Sequence, residues 1–285
     1  MTQDWQKQWN EQGYLVIPGL FDPSRAAQLR GIGDRVLAQW LRCDPQTGKP
    51  GNPDGHALRH LNHVDYFKGR PAGEFSVLMD AVADELVLGV ARAILGEDAL
   101  FRCTTYWFNP ATVSQDGPWH RDIQFGSKTE EEERGKLERS LTQHDAGIQL
   151  QVALVPSEDI EFVPGSHLRW DTPGEYAIRC ADGRAANRSN QMPGALRLPL
   201  KAGDVALFNP NGLHRGRYHA EKLRRTLMLT YTKSSCPCSD YFSDQPWFLE
   251  PGHLDGLRPR TRAFFAPFVE CYREFWLRKD EKKAA

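Results

Sequence analysis

The sequence predicts a mainly β core, a sandwich or barrel, with helices packed outside it. Three observations carry this. The apolar period is helical up to about residue 95 and changes near residue 100. Beyond that point, short β-branched and aromatic runs are divided by Pro and Gly turns. Near the C-terminus Phe268, Tyr272, Phe275 and Trp276 repeat at helical spacing, which reads as a helix laid on the sheet. No repeat or linker divides the 285 residues, a length that suits one domain with elaborations. The expected layout is a helical part over about 1–98, the β core over about 99–235 and an aromatic helical segment over about 240–280.

Taken in order, Trp5 and Trp9 mark a short amphipathic helix over 4–12, and residues 14–17 read as a strand closed by Pro18-Gly19. Asp22-Pro23 starts a helix that runs to about 42, with Asp as N-cap and Pro at the first helical position. Residues 44–56 are turn formers and read as a loop. A helix over about 75–95 buries Phe75, Leu78, Met79, Val82, Leu86 and Val90, and stops at Gly96. Strands are expected over 100–108, 119–125, 147–155, 160–163, 196–200, 204–208 and 224–232. The charged stretch 127–146 reads as an excursion from the β core, a solvated loop or helix that suits a lid, and 182–194 as a polar, mobile loop.

Composition narrows the function. A formal net charge of −1 gives no electrostatic case for nucleic acid or an anionic membrane. No apolar run approaches the length of a membrane span, and the N-terminus lacks a signal-peptide apolar core. Of six scattered Cys only Cys236 and Cys238 lie close, so free thiols in a reducing, cytoplasmic setting are expected. The oligomeric state is left open.

Three His-x-acid pairs compete for attention: His63/Asp65, His120/Asp122 and His219/Glu221. With nine His and 37 Asp+Glu, roughly one is expected by chance. On a strand, residues two apart share a face, so one pair can grip one metal ion. A catalytic site needs a third ligand and open positions. His214 supplies one: it follows the strand 204–208 and the turn 209–212, although a histidine capping a hairpin would look the same. In the next strand the alternation groups Arg225 with Leu227, Leu229 and Tyr231, and Arg224 with Thr226, Met228 and Thr230. An arginine on the more apolar face requires an anion, either the carboxylate of a bound molecule or an internal Asp or Glu. His219/Glu221 lies in a polar hairpin loop, and His63/Asp65 in the helical half without a strand-end partner.

His120-x-Asp122, distal His214 and Arg225 eleven residues further on resemble the phytanoyl-CoA dioxygenase family of Fe(II)/2-oxoglutarate oxygenases. Residues 13–21, the turn Phe162-Val163-Pro164-Gly165-Ser166-His167 and Gly203-Asp204-Val205 add to the likeness, which spans 13–231. The resemblance implies a double-stranded β-helix (jelly-roll, cupin-like) core over about 99–235 with flanking helices. It implies His120, Asp122 and His214 as iron ligands, Arg225 as the partner of the far carboxylate of 2-oxoglutarate, and O2 as the other cosubstrate. It departs at Gly216, where many members carry Ser, and at Gln151, where many carry Trp, so Gln151 is the candidate for an auxiliary cosubstrate contact. Halogenating members lack the acidic ligand; Asp122 therefore favours hydroxylation. The implied reaction is hydroxylation of a small molecule with release of succinate and CO2. Tyr106, Trp119, His60 and Asn62 are the candidates for lining the substrate pocket, beside Arg59, His63 and Tyr66; a small polar or carboxylate-bearing substrate would suit them. His167 is expected to be structural. Two rivals stand: a cupin-like metalloenzyme not using 2-oxoglutarate, against which an inward Arg225 argues, and a non-catalytic β-sandwich binding module, against which the intact triad argues.

Overall fold

The computed structural model describes residues 2–71, 73–143 and 147–284. In chain order it contains α1 (Thr2–Gln12), β1 (Tyr14–Ile17), α2 (Pro23–Arg42), β2 (Ala57–Arg59), α3 (Glu74–Val82), α4 (Glu85–Leu95), β3 (Ala99–Phe108), β4 (Gln115–Asp116), α5 (Glu130–Gln143), β5 (Ile148–Ala153), β6 (Ile160–Phe162), α6 (Pro173–Arg179), a one-turn α7 (Ala181–Arg184), β7 (Leu196–Arg197), β8 (Val205–Phe208), β9 (His214–Tyr218), β10 (Arg225–Lys233) and α8 (Pro259–Ala284). Asp22 caps α2 as its sequence position requires, accepting from Arg25 N at 2.9 Å, with Pro23 opening the helix.

Two antiparallel sheets face each other. The larger runs β1-β8-β5-β10-β3-β2 and the smaller β4-β9-β6-β7, the topology of a jelly roll. Ala153, Ile160, Phe162, Leu198, Leu200, Ala206 and Phe208 fill the space between them. The other face of the large sheet carries Leu150, Val152, Leu207, Leu227 and Leu229 into a core shared with α2, α3, α4 and α8. The aromatic repeat of α8 does what its spacing predicts: Phe268 and Tyr272 are fully buried, and Phe268 meets Phe101 of β3 edge-on at 5.0 Å. Register fixes which residues share a face. Met228 lies opposite Gln151 and Thr105, whereas Leu227 lies opposite Val152 and Tyr106.

Four expectations change. The helix expected over 75–95 is two helices, because Asp84 breaks the run and caps α4, its carboxylate accepting from Leu86 N and pairing with Arg25. The strand expected over 119–125 shrinks to one bridge between His120 and His214, after which Asp122–Gly126 forms a 3-10 turn. The charged excursion is largely α5, held down by a buried pair between Glu133 and Arg179 of α6 at 2.7 Å and by buried Leu137; residues 144–146 of it lie outside the described residues. The 182–194 stretch is fastened too, through Met192 packed beside Trp119. Among the described residues no helix is long and apolar enough to cross a membrane, and all six cysteines are free.

Candidate metal centre

The bridge between His120 and His214 builds the site. Each donates its backbone N–H to the other's carbonyl, at 3.1 and 3.0 Å, which sets the imidazoles side by side with centroids 4.2 Å apart. Asp122 N donates to Pro210 O at 2.8 Å, so the turn before β9 also positions the carboxylate. One donor atom from each of His120, Asp122 and His214 lies within 4.8 Å of the others. Both imidazole Nε2 atoms stand 3.5 Å from Asp122 Oδ1. The far nitrogens are spoken for: His120 Nδ1 lies 2.8 Å from Pro118 O and His214 Nδ1 lies 3.0 Å from Gly212 O. A carbonyl can only accept, so each Nδ1 carries the proton and each Nε2 keeps a lone pair toward the common centre. Gly212 is required there, since a Cβ would enter the Phe162 ring.

Charge and burial suit a cation. Burial opposes ionisation of Asp122, but hydrogen bonds and charge from the imidazoles in their protonated form outweigh that and hold its carboxyl well below the usual range; with both imidazoles neutral, Oδ1 and the two Nε2 atoms offer only lone pairs, an arrangement that calls for a cation. Gln149 donates to the outer oxygen, Oδ2, leaving Oδ1 to the histidines. Burial, reinforced by His120, pushes the His214 pKa down despite Asp122, which keeps this imidazole neutral. Arg121, between the two first ligands in sequence, points away from the centre and is wholly buried. Its guanidinium donates to Ser166 O, Asn211 O and Asp171, fastening the His120–Asp122 stretch to the turn that carries His214. In that same region Ser166 Oγ accepts from Leu213 N at 2.7 Å, and His167 contacts Asn10 O at 3.3 Å.

The structure corrects the placement of Arg225. Its face of β10 is the helix-covered one, and its guanidinium donates to Asp34 of α2. An internal carboxylate is therefore its anion. Arg224, one residue earlier, lies on the opposite face with Met228 and Gln151, wholly buried, its guanidinium 5.5 Å from the ring of Trp107 and 5.1 Å from that of Tyr218. Gln149 and Gln151 share this face, and the bond from Gln149 to Asp122 shows that it is the triad's. Three buried polar atoms here lack hydrogen-bond partners: Gln151 Oε1, Thr230 Oγ1 and Arg224 Nε, the last with Asp159 at 3.8 Å as its ion-pair partner. An anionic, oxygen-rich ligand beside the triad would accept from Thr230 Oγ1 and Arg224 Nε, and from Gln151 once its amide is turned to present Nε2, so these residues fit 2-oxoglutarate. Gly216 shares the face of His214, and a Cβ there would strike the Tyr218 hydroxyl and come within 3.3 Å of Arg224 Nη1. The Tyr218 hydroxyl thus fills the space a side chain at 216 would take.

Four expected pocket residues also stand elsewhere. Tyr106 faces the helices, its hydroxyl donating to Asp34 at 3.1 Å. Trp119 is buried with Val163, Met192 and Leu213 and donates to Ser189 O. His60 contacts Gln46 and Phe242 O, while Asn62 bonds Gln245 and Thr104, so both knit the 57–66 segment to the C-terminal part. Each is positioned by burial and internal bonds that periodicity does not reveal. Arg224, Gln149, Trp107 and Tyr218 were not singled out from sequence. The signal was present in the polar phase of β5 and β10, since the face bearing Gln149, Gln151, Thr226 and Thr230 is the one that meets polar ligands.

The model of the phytanoyl-CoA dioxygenase (PhyH) family matches residues 9–226. The ectoine dioxygenase of Stutzerimonas stutzeri (strain A1501) is 28% identical over 122 residues, 41% of this chain and 36% of that protein. The chain thus matches well under two thirds of this relative's length. In fold it is similar to EctD from S. alaskensis, solved with 2-oxoglutarate and 5-hydroxyectoine, at 19% identity and a TM-score of 0.57 over 91% of this chain and 89% of that one. The non-heme alpha ketoglutarate dependent epimerase SnoN from nogalamycin biosynthesis is similar at 17% identity and a TM-score of 0.55, over 82% and 83%. With a family match that runs from α1 through the triad to the first residues of β10, the chain belongs to the phytanoyl-CoA dioxygenase family of Fe(II)/2-oxoglutarate-dependent oxygenases.

Proposed function

We propose that this protein is an Fe(II)- and 2-oxoglutarate-dependent dioxygenase that hydroxylates a small molecule in the cytoplasm, with release of succinate and CO2, and that residues 1–285 work as one catalytic domain. The observation that carries the reading is the triad: His120 Nε2, His214 Nε2 and an ionised Asp122 converge on one point with their protons already placed on the far side. Two imidazoles and a carboxylate on one face suit ferrous iron and leave positions for ligands on the other. When bound, the iron supplies O2 activation coupled to decarboxylation of 2-oxoglutarate. The chain's own residues do the rest. Pro118 O and Gly212 O keep the imidazoles oriented, and Gln149 holds the carboxylate through its outer oxygen. Arg224, rather than Arg225, holds the far carboxylate of 2-oxoglutarate, helped by Tyr218 and Gln151. Its support is the shared face and an Nε that makes no hydrogen bond within the protein. With Asp122 in place, no room is left for a halide ligand, which favours hydroxylation.

The test is anaerobic addition of Fe(II) and 2-oxoglutarate, with the visible charge-transfer band of the chelate as readout. The band is expected for the wild type and absent for Asp122→Ala, which also loses turnover. Folded wild-type protein without the band overturns the reading.

A further inference from the structure

Arg59, on β2 at the edge of the large sheet, lies opposite Thr105, which lies opposite Met228, which in turn lies opposite Gln151. Residues opposed in register share a face, so Arg59 belongs to the face that carries Gln149 and Gln151 beneath the triad. Its guanidinium is half-buried and stacked, 4.9 Å from the ring of Phe242 and 6.0 Å from that of Trp107. Among the described residues it has no carboxylate within ion-pair distance, and its contacts are these aromatic faces. The wall continues as an unbroken stack: His56 lies 5.7 Å from Trp107 and 4.2 Å from Tyr218, with Arg224 beyond. Arg188 reaches the same region from the other side, bonding Gln115 and Asp116 O, also with no ion-pair partner among the described residues. Burial first, and then the charges of Arg224, Arg59 and Arg188, push the His56 pKa down to about 4.

A stacked guanidinium keeps its planar fork free for a bidentate anion and has already lost much of its rotamer freedom. With three guanidinium groups and, among the described residues, a single ion pair to them, Arg224 to Asp159 at 3.8 Å, this wall is positive overall and attractive to anions. If Arg224 holds the cosubstrate, Arg59 is left for a different ligand. We propose that Arg59 is a substrate-binding residue and that the small molecule oxidised here carries a carboxylate, seated on the Arg59 fork beside Trp107. This rests on the dioxygenase reading for the word substrate, but the anion site itself does not.

The experiment uses the full chain loaded anaerobically with Mn(II) and 2-oxoglutarate, so that the cosubstrate position is filled. Benzoate, indole-3-acetate and N-acetylglycine are titrated against their amides by calorimetry. At least one acid is expected to bind about tenfold tighter than its amide, as one charge-assisted bidentate contact implies. Arg59→Gln removes the preference, Arg59→Lys retains part of it, and Mn(II) and 2-oxoglutarate bind all three proteins alike. Equal binding of every acid and its amide, or an unchanged preference in Arg59→Gln, overturns the proposal. If 2-oxoglutarate fails to bind while the Arg59-dependent preference persists, the dioxygenase reading falls and the carboxylate site stands.

Discussion

Arg224 and Arg225 are adjacent in the chain and serve opposite faces of one sheet. Arg225 turns to the helices and closes a bond with Asp34, which also accepts from Tyr106. Arg224 turns inward, where Asp159 pairs with it at 3.8 Å but without a hydrogen bond, so its burial is only partly offset until a ligand supplies further charge. Substitution separates the two. Arg224→Gln is expected to weaken 2-oxoglutarate binding by about tenfold or more with metal affinity unchanged, since a charge-assisted bond contributes about 1.5–3 kcal/mol. Arg225→Gln is expected to leave cosubstrate binding unaltered and to lower stability by on the order of 1 kcal/mol, its bond being partly solvated. Calorimetric titration of each variant with 2-oxoglutarate, alongside urea unfolding, checks both; reversal of the pattern would return the anchor to Arg225.

At the scale of elements, α2 decides how closely the helical layer lies on the large sheet. Gly33 faces the Tyr106 ring so closely that a Cβ would overlap its carbons. Alanine in place of a helical glycine gains up to about 1 kcal/mol in propensity, while overpacking a filled core costs about 1–3 kcal/mol. The clash is therefore expected to win: Gly33→Ala lowers the unfolding midpoint in urea, and an increase would mean that the layers have slack. The clasp of α5 is of the same kind. Glu133, Arg179, Asp171 and Arg121 form a buried chain of ion pairs from that helix to the stretch between His120 and Asp122. Composition marked 127–146 as solvated because most of α5 is; the one acid that turns inward is invisible in a run of four glutamates.

For the molecule as a whole, burial keeps several histidines uncharged. His60, His167 and His253 are each pushed down from 6.5 to about 4, with burial the leading cause. On acidification the unfolded chain takes up these protons near pH 6.5 while the folded chain does not until about pH 4. Stability is thus full above pH 6.5 and falls between 6.5 and 4, by up to about 1.4 kcal/mol per pH unit for each residue. Thermal melting across that range should show a steady fall in Tm; a flat profile would mean that these rings are solvated. The same distinction between local pattern and assembled layers runs through the site. The sequence by itself determined the mainly β core, the placement of most strands and helices, and the pairing of His120 and Asp122 with His214, because periodicity, turn residues and ligand spacing are local properties. It also determined that each strand of the large sheet has two unlike faces. Only the tertiary structure decided which of those faces meets the metal centre, since that depends on which layer, helices or small sheet, covers each side. That choice turned Arg225 to Asp34 and Arg224 to the triad's face, gave Tyr106, Trp119, His60 and Asn62 internal partners, and left Arg59 on the triad's face with no ion-pair partner among the described residues.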